Sequence, residues 1–215
     1  MKPALLLDLG GVILPLNTKA THQKFLKYTQ KDIKQWMHFG FPHQLIQQFE
    51  LGKISEKEFF EELSEQLQFN RELYYLKEAW NAMLMPIPTE NIHYLKQLRE
   101  DYFLILLSNT CKTHIHCFES MLKQHHNIET LEILFDKVYY SCYVGLRKPD
   151  PKLFQKVLKD NHLSPSFLTY FDDTPTHIEA AKHLNISSIL YPQNSLLKDV
   201  LPQYLPIPQK NSLQA

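Results

Sequence analysis

Four short apolar runs occur along the chain, and each is followed by polar residues. They are ALLLD (4–8), YFLILLSN (102–109), KVYYSCYVGLRK (137–148) and LTYFDD (168–173). Their apolar residues are continuous rather than alternating, which is typical of strands covered on both faces. We therefore predict a Rossmann-like α/β core, in which a parallel sheet carries helices on either side.

The segments between the later runs carry helix signals. Asp150 followed by Pro151 predicts a helix start, because an Asp side chain caps free N–H groups and proline tolerates the first helical position. Ser164 and Pro165 repeat the pattern and predict a second start. A third helix should end near Asn185, a residue type that tolerates left-handed backbone.

One long segment lacks strand patterning. Residues 17–85 contain only helical periodicity, and Ser55 and Glu58 have the spacing of a capping box. About seventy residues are more than a crossover needs, so we predict an all-helical cap subdomain over the carboxyl edge of the sheet. Thr89 is then expected to cap the helix that returns to the core.

This pattern divides the chain into three parts. Residues 1–16 and 86–202 form the expected α/β core, and residues 17–85 form the helical cap. The proline-rich residues 203–215 form an extended or disordered tail.

Composition excludes several classes of partner. The chain has 215 residues, with 23 basic and 23 acidic side chains and no block of like charge, so neither nucleic acid nor a membrane is an expected partner. Three cysteines without a C-x-x-C pair fit a reducing compartment. Asp8 interrupts the apolar N-terminal run, which argues against a signal peptide. We expect a cytoplasmic protein, and its oligomeric state stays open.

Polar residues that could perform chemistry stand where the apolar runs end. In parallel sheets ligands bind beyond the carboxyl ends of the strands, so these residues should converge. They are Asp8, Ser108, Asn109, Lys148, Asp172 and Asp173.

These motifs, in this order, resemble the haloacid dehalogenase superfamily, in particular its phosphatases with a helical cap inserted after the first strand. DLGGV, LLSNT, RKPDP and YFDDTPTHIEAA carry the resemblance, which extends to about Pro202. It implies an Mg²⁺-dependent phosphatase acting on a small phosphorylated substrate.

The resemblance also implies a role for each residue. Asp8 would be the nucleophile that forms an aspartyl-phosphate, and Mg²⁺ would be held by Asp8, the Gly10 carbonyl and Asp173, with Asp172 as a second ligand or an outer acceptor. Ser108, Asn109 and Lys148 would bind the phosphoryl group, and Ser108 and Lys148 would also assist its transfer.

Two positions depart from the family pattern. Family phosphatases usually carry a second Asp two residues after the nucleophile, which moves the proton of the leaving group, but this chain has Gly10 there. His177 stands where the branch often has Asn or Asp; it could hydrogen-bond the acidic motif or have no role.

Three functions therefore stay open. The first is a sugar-phosphate phosphatase that favours good leaving groups, because it lacks the acid. The second is a weakened regulatory protein that keeps the metal and phosphate site. The third is a 2-haloacid dehalogenase, against which the paired acids Asp172 and Asp173 argue. Candidate specificity residues on the cap are Trp36, Phe39, Phe41 and His43.

Overall fold

A five-stranded parallel sheet forms the centre of the protein, with the strand order β3-β2-β1-β4-β5. The computed structural model describes residues 2–29, 43–69 and 71–205. The strands are β1 (Ala4–Leu7), β2 (Phe103–Ser108), β3 (Lys137–Tyr140), β4 (Leu168–Asp172) and β5 (Ser187–Leu190). This arrangement confirms the predicted Rossmann-like sheet.

Helices cover both faces of the sheet. They are α5 (Thr89–Asp101), α6 (Lys112–His126), α7 (Ser141–Val144), α8 (Pro151–Asp160), α9 (Pro175–Lys182) and α10 (Leu197–Val200). Successive side chains of a strand point to opposite faces, so Leu5 and Leu7 join the core with α5 and α6, whereas Ala4 and Leu6 join the core with α8 and α9. Double burial explains why β1 is apolar at every position.

Among the described residues, four further helices lie between β1 and α5, and we call residues 18–29, 43–69 and 71–81 the helical segment. These helices are α1 (Thr18–Tyr28), α2 (His43–Glu50), α3 (Glu56–Leu67) and α4 (Leu73–Asn81). The predicted capping box is present, since Ser55 and Glu58 exchange hydrogen bonds at the start of α3. An aromatic cluster that includes Phe49, Phe59 and Phe60 gives the helical segment its own apolar core.

Several contacts join the helical segment to the sheet and its flanking helices. The Thr113 hydroxyl donates to Glu56 Oε2 at 2.6 Å, and the His114 ring stacks on Trp80 with 5.2 Å between ring centroids. Gly52 lies so close to α7 that an added Cβ would stand 2.2 Å from the Cys142 carbonyl oxygen. The helical segment thus packs against α6 and α7, which follow β2 and β3.

Local predictions had mixed outcomes. Asp150 caps α8 with Pro151 at its first turn, as expected. Asn185 has the expected left-handed backbone, with φ +60°, but α9 already ends at Lys182 with His183 as its C-cap. Ser164 and Pro165 begin only a three-residue 3-10 turn rather than a helix, because β4 starts at Leu168. Thr89 is the first residue of α5, and the capping position belongs to Pro88.

Two predictions of strands were incomplete. The run that begins at Lys137 forms a strand only to Tyr140, and the short helix α7 and left-handed Gly145 then turn the chain. Strand β5 was not among the predicted runs, because its pattern SSIL is half polar.

Every helix that the described ranges contain is too short or too polar to cross a bilayer.

Candidate active site

The predicted chemical residues meet at one edge of the sheet. Strand β1 lies between β2 and β4, with Leu7 level with Leu106 and Phe171. Asp8 follows β1, and its N–H donates to the Phe171 carbonyl at 3.0 Å. Ser108 ends β2 and Asp172 ends β4, so parallel register brings all three to the carboxyl edge.

Lys148 connects two carboxylates beneath this edge. Its Nζ lies 2.7 Å from Asp8 Oδ1 and 2.6 Å from Asp172 Oδ2, and it donates to the Leu107 carbonyl at 3.1 Å. All three ammonium donors therefore have an acceptor. The side chain is 1% exposed; burial alone would lower the pKa of Lys148, but the two carboxylates outweigh it and raise the pKa. Lys148 is therefore charged.

Asn109 holds the backbone of Lys148. Its Oδ1 accepts from the Lys148 N–H at 2.8 Å, and its Nδ2 donates to the Lys148 carbonyl at 2.9 Å. This reciprocal pair fastens the loop before α8 to the end of β2. The Asn109 side chain thus positions the lysine, and its expected contact with phosphate stays a prediction.

Asp172 is fully buried, and both of its carboxylate oxygens are engaged. Oδ2 accepts from Lys148 and from the Tyr170 hydroxyl, and Oδ1 accepts from the Thr174 N–H at 2.7 Å. His177 Nδ1 lies 3.1 Å from each oxygen. Burial alone would raise the pKa of Asp172, but Lys148 and His177 hold it well below its usual range. These contacts fit an outer acceptor better than a direct metal ligand.

Asp173 is the more accessible acid of the pair. It is half-buried and lines the cavity above the sheet edge, whereas Asp172 does not. Burial, reinforced by the charge of Asp172, raises the pKa of Asp173. Ionising the Asp173 carboxyl in this position costs free energy, and a bound cation would offset that cost.

Gly11 is required by the close approach of Asp173. Its φ is +79°, and an added Cβ would lie 2.2 Å from Asp173 Oδ2. Gly10 has a different surrounding, since a Cβ there would lie 3.0 Å from Leu16 Cδ1. The side chain of Leu16 therefore packs beside the position at which family phosphatases carry their second Asp.

The charges of the site suit a divalent cation. Oxygen atoms of Asp8, Asp172 and Asp173 all lie within 4.8 Å of one another, and Lys148 supplies one positive charge against them. Burial raises the pKa of Asp8 despite the opposing charge of Lys148. An excess of buried carboxylate with hard oxygen ligands is the donor set that Mg²⁺ prefers, so the residues present fit this ion.

A cavity of about 360 Å³ opens above these residues. Its wall includes Asp8, Gly10, Ser108, Lys148 and Asp173, as the sequence led us to expect.

The cavity wall also includes residues that the sequence did not reveal. Glu50 comes from α2 and Arg147 from the loop before α8, and no spacing rule connects two residues so far apart in the chain. Trp36, Phe39 and Phe41 lie outside the described residues, as does the side chain of His43.

Comparison with known proteins agrees with this arrangement. Curated relatives include the D-ribitol-5-phosphate phosphatase of Bacteroides thetaiotaomicron, 27% identical over 87% of this chain and 90% of that protein. A solved haloacid dehalogenase family enzyme from the same organism has a TM-score of 0.86 at 27% identity and covers 93% of this chain and 98% of its own.

Two further structures add detail. The wild-type form of that Bacteroides enzyme in complex with magnesium and inorganic phosphate has a TM-score of 0.81 at 27% identity, covering 93% of this chain and 98% of its own. A solved structure described as that of a predicted haloacid dehalogenase-like family hydrolase from Porphyromonas gingivalis has a TM-score of 0.83 at 28% identity and covers 94% of this chain and 97% of its own. The family model for haloacid dehalogenase-like hydrolases matches residues 5–191. The chain therefore belongs to the haloacid dehalogenase-like hydrolase family.

Proposed function

We propose that this protein is an Mg²⁺-dependent phosphatase of small phosphorylated metabolites, with sugar and polyol phosphates as its preferred class. The observation that carries the proposal is the buried Asp8 carboxylate, which lies 2.7 Å from Lys148 and within 4.8 Å of two further acids. The named activity of the Bacteroides relative supports the substrate class.

Asp8, Asp173 and the Gly10 carbonyl would hold the Mg²⁺ ion. Asp172 would not bind the ion directly but would position Lys148 through their ion pair. When bound, Mg²⁺ would supply positive charge between the Asp8 carboxylate and the phosphate dianion. Residues 17–85 would act as the cap that covers the substrate, since Glu50 already contributes to the cavity wall.

The chain's own residues would then carry two displacements. Hydrogen bonds from the Leu9 N–H and from Lys148 orient Asp8, which attacks phosphorus while the bond from phosphorus to the leaving oxygen breaks. The Ser108 hydroxyl and the Lys148 ammonium would bind the phosphoryl oxygens during transfer. Water then attacks the aspartyl-phosphate, releasing inorganic phosphate and restoring Asp8.

Gly10 limits this chemistry. It has no side chain to protonate the leaving oxygen, and Leu16 packs beside its Cα. A general acid is typically worth about 10²- to 10⁴-fold in rate. Esters whose leaving groups need little protonation, such as acyl, aryl and anomeric sugar phosphates, should therefore have the highest kcat, whereas a preference for other sugar and polyol phosphates would come from tighter binding and a lower KM.

A panel of phosphorylated metabolites and acetyl phosphate, assayed with Mg²⁺ and with EDTA, tests the proposal. We expect phosphate release that EDTA stops and that Asp8→Asn abolishes. Chloride release from a 2-haloacid that survives EDTA would instead establish the dehalogenase.

The second candidate, a regulatory protein that binds metal and phosphate without turnover, is favoured by Gly10 and the packing of Leu16. Gly10→Asp, combined with Leu16→Ala to make room, separates the two functions. A phosphatase should gain rate on alkyl phosphates, and Leu16→Ala alone is the matched control. Phosphate and Mg²⁺ binding without turnover in every variant would support the regulatory protein.

A further inference from the structure

An ion pair in the cavity wall joins the helical segment to the loop before α8. Arg147 Nη2 lies 2.9 Å from Glu50 Oε2, and the two side chains are 24% and 18% exposed. Glu50 is the last residue of α2, and Arg147 immediately precedes Lys148. The pair therefore borders the lysine that we assign to phosphate, although the proposed phosphatase chemistry does not use it.

Arg147 keeps an unused donor. Its Nε is buried and has no hydrogen-bond acceptor within residues 2–29, 43–69 and 71–205. A buried donor without an acceptor is costly, and structures tend to supply a partner through a ligand or water. A hydroxyl group of a bound molecule could accept this hydrogen bond, and another could donate to the Glu50 carboxylate.

Away from the metal and phosphate residues and from His177, which contacts Asp172, the described part of the cavity wall brings no net charge. Leu16, Met83, Leu84 and Phe118 are apolar. Burial lowers the pKa of His114, which also lines the cavity, to about 4, so its ring is neutral near pH 7. The charges of Glu50 and Arg147 cancel each other. An uncharged leaving group with several hydroxyls matches this surrounding.

We propose that Glu50 and Arg147 form the specificity site for the leaving group and select phosphate esters of uncharged polyhydroxylated compounds; this proposal rests on the proposed phosphatase function. Glu50 accepts hydrogen bonds from the hydroxyls, and Arg147 donates to them. A charged leaving group gains little from this neutral pair, because the repulsion of a carboxylate by Glu50, or of an ammonium by Arg147, offsets its attraction to the other member of the pair. The cavity of about 360 Å³ restricts the substrate to a small metabolite.

Steady-state kinetics with Mg²⁺ on four substrates test this site. They are D-ribitol 5-phosphate, 2-phosphoglycolate, phosphoethanolamine and acetyl phosphate, and the variants are Glu50→Gln and Arg147→Gln. Each variant should lose about 10- to 100-fold more kcat/KM on ribitol 5-phosphate than on acetyl phosphate, mainly through KM, because a hydrogen bond to a charged group is lost. Glu50→Gln should also shift preference towards phosphoglycolate, and Arg147→Gln towards phosphoethanolamine.

Glu61→Gln is the matched control, because Glu61 lies on α3 in an exposed ion pair with Lys57. It should leave all four activities unchanged. An equal loss on every substrate would overturn the proposal and make the pair a mere contact between the helical segment and the sheet, and unaltered preferences would overturn it as well.

Failure of the phosphatase function is distinguishable from failure of the specificity site. If the wild-type protein turned over none of the four esters, the phosphatase would be wrong, but calorimetry on Asp8→Asn with Mg²⁺ would still compare their binding. The specificity site would be supported if Asp8→Asn bound ribitol 5-phosphate more tightly than the other esters, and if adding Glu50→Gln removed this difference. Equal affinities for the three stable esters would contradict it.

Discussion

At the scale of single residues, two glycines with the same unusual backbone have different tasks. Gly11 has φ +79° and Gly145 has φ +71°, and side chains rarely adopt this region. Gly145 ends the short helix α7, where an added Cβ meets nothing within 4 Å. Gly11 leaves room for the Asp173 carboxylate. Substitutions at these two glycines therefore distinguish the cost of left-handed backbone, which both share, from a steric clash with Asp173, which only Gly11 would produce.

Gly11→Ala should destabilise the protein by more than the roughly 1 to 2 kcal/mol that left-handed backbone alone costs, and it should weaken Mg²⁺ binding because Asp173 must move. Gly145→Ala should show the backbone cost with normal Mg²⁺ affinity. Urea denaturation and calorimetric Mg²⁺ titration measure the two effects. Equal Mg²⁺ affinity in both variants would contradict the assignment of Asp173 as a ligand.

The sequence predicted the residues at strand ends but not their neighbours from elsewhere. Asp8, Ser108 and Asp173 follow apolar runs, so parallel register alone was enough to bring them together. Glu50 and Arg147 meet only because the helical segment packs against α6 and α7, and tertiary packing of this kind leaves no local pattern. The pairing of Asn109 with the Lys148 backbone was also not predictable, because a side-chain amide gives no sign of which partner it will take, and its contact with phosphate stays a prediction.

At the scale of elements, α4 and α6 meet through a buried aromatic contact. The His114 ring stacks on Trp80, and its Nε2 lies 3.3 Å from the Trp80 carbonyl. Burial lowers the pKa of His114 to about 4, against 6.5 for the ordinary side chain. The unfolded chain therefore binds a proton between these two pH values, whereas the folded protein does not.

This difference predicts a pH-dependent contact between the helical segment and α6. The contribution of His114 to the free energy of unfolding is fully present above pH 6.5. It is lost as the pH falls towards 4, and the loss amounts to about 3 kcal/mol. His114→Phe, which keeps an aromatic ring against Trp80, should flatten that part of the pH profile in urea denaturation. The exposed His93→Phe should not, and identical profiles for wild type and His114→Phe would contradict the assignment.

The more completely a strand is buried, the more clearly the sequence predicted it. Strands β1, β2 and β4 are buried at nearly every position and consist mainly of apolar residues, so the sequence indicates them clearly. Strand β5 is an edge strand with exposed Ser187 and Leu190, and its half-polar pattern hid it. The run from Lys137 was predicted too long, because Cys142 and Val144 of α7 also pack against the core and continue the apolar pattern.

At the scale of the whole molecule, the site places a surplus of negative charge where two strands end. Asp8 follows β1, Asp172 ends β4 and Asp173 follows it, and Lys148 lies between Asp8 and Asp172. Burial, together with repulsion by Asp172, raises the pKa of Asp8 and of Asp173, so keeping these acids ionised opposes folding. A ligand that binds the folded protein alone adds stability by mass action. Magnesium should therefore stabilise the entire sheet domain.

We expect Mg²⁺ at a hundred times its dissociation constant to raise the free energy of unfolding by about 2.7 kcal/mol, measured by urea denaturation with and without EDTA. Asp173→Asn should abolish this response and, in EDTA, should be at least as stable as wild type, since one repelling charge is gone. Asp172→Asn should instead lose about 3 to 5 kcal/mol in EDTA, because it breaks a buried ion pair with Lys148. If Asp172→Asn abolished the Mg²⁺ response and Asp173→Asn lost stability in EDTA instead, Asp172 would be the direct ligand and Asp173 would not.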